Sequence, residues 1–343
     1  MKLKTILAVI SANLSIWYRK LLKKKIIPYK LLINLSDLCQ SRCVYCEIWK
    51  IKPKNEITID EIKKLFQDIN SNLVWLALSG GEVTLVNYYY QLVDEAVKNC
   101  KNLKILAFTT NALAVERTIK YAEYAKNKGL DVLITISLDG DEALHDKLRG
   151  IKGNYNKCLL AYKELKKRKI NCNFGLTVSD QNLNFIEKKF VDYRNKIRAI
   201  TFVHNEGIYN TSKNILEDQK IMKGIKIIYK NYFIKNFQEI IEKIHIKISY
   251  LFLKNFRKKN IIPCEVINSS IHIMPSGEVK PCMFMDSLGN IKNENLSDII
   301  SSKKAKESLD IIKKDNCPKC WMNCYSVHSI MQHPFKSLKS FFH

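Results

Sequence analysis

Short, nearly continuous apolar runs recur between residues 31 and 203, each followed by a stretch with helical spacing. The runs are Leu31–Leu35, Val74–Leu78, Lys104–Thr109, Asp131–Ser137, 171–178 and Ala199–Val203. Runs of this length and composition read as buried strands. Between them, residues 59–70, 88–99, 114–128, 154–168 and 181–195 repeat apolar positions at helical intervals. Thr58 stands three residues before Glu61, a capping box that starts the first of these helices. Alternating strands and helices predict a parallel sheet with helices outside it. Six such units are too few to close an eight-stranded barrel; the expectation is an α/β fold, a partial (β/α)6 barrel of the TIM type. The rhythm changes after residue 205. Residues 214–245 read as helical and rich in Lys and Ile, a link or lid. From Ile261 a small α+β, cysteine-rich pattern follows, in which Ser270–Met274 and Glu278–Lys280 flank a Pro275-Ser276-Gly277 turn as a hairpin. The expected division is a basic, amphipathic helical segment at 1–29, the barrel at 30–210, a helical linker or lid at 211–260, the cysteine-rich domain at 261–326 and a tail at 327–343.

Composition adds limits. The 343 residues are 46% hydrophobic and 26% charged, as in a soluble globular protein able to bury a sizeable core. No apolar run reaches the roughly 18 residues of a membrane span. In the first segment Lys2 and Lys4 precede a mostly apolar stretch, Ile6–Tyr18, that Ser11, Asn13 and Ser15 interrupt. Arg19-Lys20 and Lys23-Lys24-Lys25 follow, and no signal-cleavage pattern stands out. The expectation is an amphipathic helix packed on the barrel, with peripheral membrane contact through residues 1–25 as the alternative. The net charge of +24 raises nucleic acid as a partner, but 49 of the 57 basic residues are Lys and only 8 are Arg. Lys, Ile and Asn share AT-rich codons, and the lysines are spread over nearly every helix. No nucleic-acid partner is therefore expected.

The chemistry lies in the cysteines. Cys39, Cys43 and Cys46 form a C-x3-C-x2-C triad just after the first strand, where α/β folds place their active sites. Three thiolates hold three irons of a [4Fe–4S] cube and leave the fourth iron open. Zinc, the competing reading, favours C-x2-C pairs and four ligands, and this triad has no fourth cysteine near it. A second group, Cys264, Cys282, Cys317, Cys320 and Cys324, falls in the carboxy-terminal domain. Clustered cysteines in a chain of this size read as metal ligands, not as a disulfide framework. Cys100, Cys158 and Cys172 stand apart as ordinary buried thiols.

The triad resembles the signature of the radical S-adenosylmethionine (radical SAM) superfamily. That resemblance implies that the open iron chelates SAM, which is cleaved to a 5′-deoxyadenosyl radical that abstracts hydrogen from a substrate. It also implies roles at the strand ends. Gly80-Gly81-Glu82 resembles the family's GGE motif and is expected to meet the SAM ammonium. Asn111, Ser137 and Arg149 are expected around its carboxylate and ribose, and Tyr45 against a planar group. Thr177 and Val178 fall where the family lays a residue beside adenine. The stretch from Ser137-Leu138-Asp139-Gly140 through His145-Asp146 to Arg149-Gly150 looks like the subfamily with additional carboxy-terminal clusters.

The second group resembles the SPASM/Twitch extension of that subfamily, with Gly277 and Cys282 matching its Gly-x4-Cys. Five cysteines suit one auxiliary [4Fe–4S] cluster, two clusters in all, on Cys264, Cys282, Cys317 and Cys320, with Cys324 as the rival ligand. A zinc ribbon on the same thiolates, in a non-enzymatic binding protein, is the alternative. The resemblance implies a cytoplasmic oxidoreductase or modifying enzyme. It would take electrons from a low-potential donor such as ferredoxin or flavodoxin and act on a peptide or protein. Oxidation of a sugar- or cyclitol-like alcohol is the runner-up, because the spacing of the second group also resembles Twitch-type cyclitol dehydrogenases. His204, Asn205 and Glu206 fall at the end of the sixth strand, facing the expected substrate space.

Overall fold

The computed structural model describes residues 2–204, 208–209 and 215–342. Six parallel strands, β1 (Lys30–Asn34), β2 (Trp75–Ser79), β3 (Ile105–Thr110), β4 (Asp131–Ser137), β5 (Asn171–Val178) and β6 (Ile197–Phe202), lie side by side in sequence order. Helices α1 (Leu3–Leu21), α2 (Ile59–Ile69), α3 (Tyr89–Asn99), α4 (Val115–Asn127), α5 (Glu142–Arg149), α6 (Asn154–Lys167) and α7 (Leu183–Tyr193) precede or connect them. The partial, open α/β barrel expected from the pattern is present.

Strand periodicity sorts the side chains. Leu76, Leu78, Leu106, Phe108, Ile134, Ile136, Leu176 and Val178 are buried in the main core. Their alternates point into the barrel, and the register aligns them in layers: Ala77 beside Ala107, Ala107 beside Leu133, and Thr177 beside Thr201. The alternates toward the carboxyl ends, Ser79, Thr109, Ser137, Thr177 and Thr201, form a hydroxyl floor to the cleft above. Below them the apolar Trp75, Ala77, Ala107 and Leu133 share the interior with the polar Thr135 and Asn173.

Helix α1 lies across the bottom of the barrel. Val9 and Ile16 pack with Tyr29, Val74 and Ile105, and with the inward-facing Trp75, Ala107 and Leu133. Asn13 donates to the Tyr29 hydroxyl at 3.1 Å, which in turn meets His328 Nδ1 at 2.6 Å.

Two features differ from the sequence reading. Residues 214–245 were expected as one helical stretch, but α8 (Ile215–Asn231) and α9 (Phe237–Lys254) are separate helices. Asn236 caps the second by accepting from Glu239 N–H at 3.2 Å. They pack on each other, on α7 and on β6, continuing the outer helical layer. The carboxy-terminal hairpin, β7 (Ser270–Ile273) and β8 (Glu278–Lys280), also joins the main sheet. β7 pairs in parallel with β1, and a short β9 (Gly289–Asn290) ends a nine-stranded sheet. Helices α10 (Leu296–Ile299), α11 (Lys303–Lys313), α12 (Asn323–Gln332) and α13 (Pro334–Phe342) complete the chain.

Candidate active site

The triad occupies the loop after β1, at the carboxyl end of the sheet. All three cysteines are free, half-buried, and line one cleft together with the hydroxyl floor, Gly80, Gly81, Asn111 and Arg149. The far wall is Phe202, Val203, His204, Tyr209 and Met322. Asn205 and Glu206 lie outside the described residues.

The loop after β2 is locked under the cysteine loop. Gly81 N–H donates to Ser36 O at 2.7 Å and Glu82 N–H to Leu38 O at 2.8 Å. A Cβ on Gly80 would stand 2.4 Å from Ser36 O, and one on Gly81 2.0 Å from Leu38 O. These glycines are required by backbone-on-backbone contact with the loop that carries Cys39. The Glu82 carboxylate is fully buried. It accepts from Thr84 N–H (3.2 Å), Thr84 Oγ1 (2.8 Å), Thr110 Oγ1 (2.7 Å) and Asn111 N–H (2.8 Å). Three of these bonds fall on Oε1 and one on Oε2, so this side chain ties the end of β2 to the end of β3. Burial raises its pKa, against those hydrogen bonds.

The segment from Ser137 to Gly150 forms the other side of the seat, as a strand end followed by the short helix α5. Asp141 starts α5 by accepting from Leu144 N–H, and Gly150 ends it in the left-handed region (φ 68°). Gly150 packs on the cysteine loop, where a Cβ would meet Arg42 O at 2.6 Å. Arg42 N–H donates to Arg149 O at 2.9 Å, and Val44 N–H to Leu148 O at 3.0 Å. The Tyr45 hydroxyl donates to the buried Asp139 carboxylate. That carboxylate also accepts from Thr177 N–H at 2.9 Å and pairs with Arg149, Nε to Oδ2 2.7 Å. The ion pair is close but not aligned as a linear hydrogen bond, and Coulomb attraction at that distance does not need alignment. Behind it, Asp139 N–H donates to His145 Nδ1 (3.1 Å). This leaves Nε2–H to donate to Asn154 Oδ1 (3.1 Å), and Asn154 donates on to Asn111 O (2.8 Å). Burial, then nearby Arg149, lowers the His145 pKa to about 4. The imidazole is therefore neutral, as this chain of bonds requires.

These placements refine the expected roles. Tyr45 and Arg149 border the cleft; the Tyr45 hydroxyl and Arg149 Nε meet Asp139, while Arg149 Nη1 is turned to Cys43. Ser137 stands in the floor, its carbonyl beside Cys158 Sγ (3.4 Å). Asn111 Nδ2 donates to Ser41 Oγ at 2.9 Å and stands 4.0 Å from Cys39 Sγ; Arg149 Nη1 stands 3.7 Å from Cys43 Sγ. The sequence reading overlooked Ser79, Thr109, Thr201 and Tyr209. The first three are inward-facing alternates at strand ends, visible in principle from period and register. Tyr209 has no sequence signal.

Among the described residues no three His, Cys, Asp or Glu side chains close on a single metal ion. The fit to a cluster rests on donor chemistry: three thiols on one loop facing one cleft, with cationic and amide N–H groups near two of the sulfurs. Thiolate sulfurs accept such bonds when they ligate iron.

The second group gathers around the hairpin. Cys264, Cys282 and Cys317 lie close enough for each thiol to disfavour ionisation of another. Burial, then the neighbouring thiols of Cys282, Cys264 and Cys324, raises the Cys320 pKa as well. Burial comes first in each case, pushing Cys264 up to about 12 and Cys282 to about 11. Such thiols ionise when metal takes the proton's place. Cys324 opens α12 at the edge of the group; its carbonyl accepts from the buried Lys30 ammonium at 2.9 Å. Tyr209 stands between the two groups, its phenol pKa raised by burial and then by Cys46 and Cys324.

Comparison with known families decides the membership. The Radical SAM superfamily matches residues 33–215, more than half of the chain. The chain belongs to the Radical SAM superfamily. An iron–sulfur cluster-binding domain of the SPASM type matches residues 264–325. Its cofactors are therefore [4Fe–4S] clusters and SAM, and it is a SPASM-type radical SAM enzyme related to peptide and protein maturases. The antilisterial bacteriocin subtilosin biosynthesis protein AlbA of Bacillus subtilis (strain 168) is 24% identical over 313 residues, 85% of this chain and 65% of AlbA. The chain thus spans somewhat less than two thirds of that relative. The cysteine-type anaerobic sulfatase-maturating enzyme of Clostridium novyi (strain NT) is 25% identical over 331 residues, 84% of this chain and 85% of that protein. Structures of native anSMEcpe with bound AdoMet, alone or with Kp18Cys peptide, share the fold with a TM-score of 0.64. They are 19% and 18% identical, covering 92% of this chain and 96% of theirs.

Proposed function

We propose that this chain modifies a peptide or protein by radical hydrogen abstraction. Cys39, Cys43 and Cys46 would hold the cluster that binds SAM, and Cys264, Cys282, Cys317 and Cys320 one auxiliary cluster. The observation that carries this reading is the single cleft running from the triad over the hydroxyl floor to Tyr209 and Met322, beside the second cysteine group. When bound, the first cluster would supply the electron for reductive cleavage of SAM, the chemistry from which hydrogen abstraction from substrate follows. Ser79, Thr109, Ser137, Thr177 and Thr201 offer hydroxyls suited to the polar parts of SAM. Glu82 and the Asp139–Arg149 pair hold the cysteine loop rigid, and Arg149 and Asn111 direct donors toward its sulfurs. The wall of Phe202, Val203, His204 and Tyr209 faces substrate. A peptide substrate is favoured by the relatives, whose names record bacteriocin biosynthesis and sulfatase maturation, and by the peptide in the anSMEcpe structure. A low-potential donor, ferredoxin or flavodoxin, would deliver the electron, and an oxygen-sensitive cluster enzyme belongs in the cytoplasm.

The test is anaerobic. Reconstituted protein incubated with SAM and dithionite should release 5′-deoxyadenosine, and the Cys39→Ala/Cys43→Ala/Cys46→Ala variant should release none. Candidate peptides encoded beside the gene should then lose two hydrogens by mass spectrometry. Peptides left unchanged while a small alcohol is oxidised would overturn the substrate class. Absence of iron after reconstitution would overturn the whole reading.

A further inference from the structure

Helix α1 is apolar on two faces, and the fold uses only one. Val9 and Ile16 close the barrel bottom. Leu3, Leu7, Ile10, Leu14, Trp17 and Leu21, spaced alternately by four and three residues, form a second stripe on the other side. All six are exposed, Leu3 at 70% and Leu21 at 81%. The Trp17 indole donates to Gln332 O at 3.1 Å, which ties the end of α1 to the end of α12. There α13 begins and adds Phe335, 80% exposed, and Leu338. Of the 21 large apolar side chains exposed among the described residues, ten lie in residues 3–22 and 335–338. A contiguous exposed apolar face of this kind marks an interaction surface.

Charge identifies the occupant. Residues 1–36 and 316–343 contain no Asp or Glu. Lys2, Lys4, Arg19 and the exposed Lys23, Lys24 and Lys25 flank the stripe, and Lys336 and Lys339 stand on α13. The acids nearest α1 are already paired: Glu265 with Lys20 at 2.5 Å and hydrogen-bonded to His333 Nε2 at 2.8 Å, and Asp131 with Lys2 at 3.7 Å. A second copy presenting the same basic rim would be repelled. A surface that is negatively charged outside and apolar beneath would satisfy both features. No described helix is long and apolar enough to cross a membrane, so the contact lies in the interface plane.

We infer that α1 and α13 form a docking face for an anionic phospholipid bilayer. Because α1 covers the amino-terminal ends of the strands, docking turns the cleft at their carboxyl ends away from the bilayer. The enzyme would then work at the membrane surface with its substrate entrance facing the aqueous side. This inference stands independently of the substrate class.

The experiment is anaerobic co-sedimentation of the holoenzyme with vesicles of phosphatidylcholine alone, or of phosphatidylcholine with phosphatidylglycerol. Binding should be strong to the anionic vesicles, weak to the neutral ones, and should fall with salt. The Lys23→Gln/Lys24→Gln/Lys25→Gln variant should lose on the order of a hundredfold in partitioning to anionic vesicles. The Leu7→Ser/Leu14→Ser variant should lose at least about tenfold. Iron content and SAM cleavage should match the parent in both, since these side chains lie far from the cleft. Should the leucine variant fold poorly, the lysine variant, altered only at the surface, still decides. Three results would overturn the inference: no binding to anionic vesicles, equal binding by the lysine variant, or a parent dimer that Leu7→Ser/Leu14→Ser disperses.

Discussion

The buried pair of Asp139 and Arg149 offers the sharpest test of how the cysteine loop is held. Asp139 is fully buried and the Arg149 side chain is only 11% exposed. Asp139→Asn keeps the shape and leaves an oxygen to accept from Thr177 N–H. It removes the only carboxylate paired with Arg149 among the described residues and puts an amide N–H donor where Oδ2 had met the Tyr45 hydroxyl and Arg149 Nε. Breaking a buried pair from one side costs about 3–5 kcal/mol, because the remaining charge is stranded. Removing both charges, in Asp139→Asn/Arg149→Met, should restore most of that loss, since an apolar replacement of a buried pair is close to neutral. Stability would be read by urea unfolding monitored by circular dichroism. Cluster geometry would be read by the electron paramagnetic resonance spectrum of the reduced protein with and without SAM. The single variant should be strongly destabilised, with a changed response of the spectrum to SAM as Tyr45 and Cys43 shift. The double variant should regain stability but keep the altered spectrum, because the donor near Cys43 Sγ is gone. A single variant within about 1 kcal/mol of the parent, or a double variant as unstable as the single, would refute the argument.

Other outcomes follow from the same geometry. Gly81→Ala forces a Cβ onto Leu38 O, and backbone cannot step aside. Destabilisation of about 1–3 kcal/mol or more, with loss of iron from the triad but not from the second group, is expected by iron counting. Cys324→Ser should retain the auxiliary cluster and Cys320→Ser should lose it, as read by iron and sulfide content; the reverse would exchange the two ligands. Burial holds His145, His245 and His272 neutral, each with its pKa lowered from 6.5 to about 4. As pH falls below about 6.5 the unfolded chain takes up these protons first. Stability is therefore complete above that value and is lost progressively down to pH 4, by about 3 kcal/mol per site. Acid titration followed by circular dichroism should show unfolding in that window, and an unfolding free energy unchanged between about pH 7 and about pH 4.5 would contradict it.

The sequence by itself determined the barrel, the triad and the grouping of the cysteines. Each is a local signal: continuous apolar runs for buried strands, capping residues for helix starts, and donor spacing for metal chemistry. The tertiary structure decided what the strand-end motifs touch. Glu82 is tied to Thr84, Thr110 and Asn111, and Arg149 Nε stands 2.7 Å from Asp139, contacts that only the packed sheet brings into reach. The pairing of β7 with β1 was likewise illegible, because parallel pairing leaves no mark at the sequence separation of Leu31 and Ile271. The same holds for α1, read from the sequence as amphipathic but bearing two apolar stripes in the structure. Which stripe closes the barrel and which faces outward depends on the shape of the cavity it plugs, and no single helix carries that information.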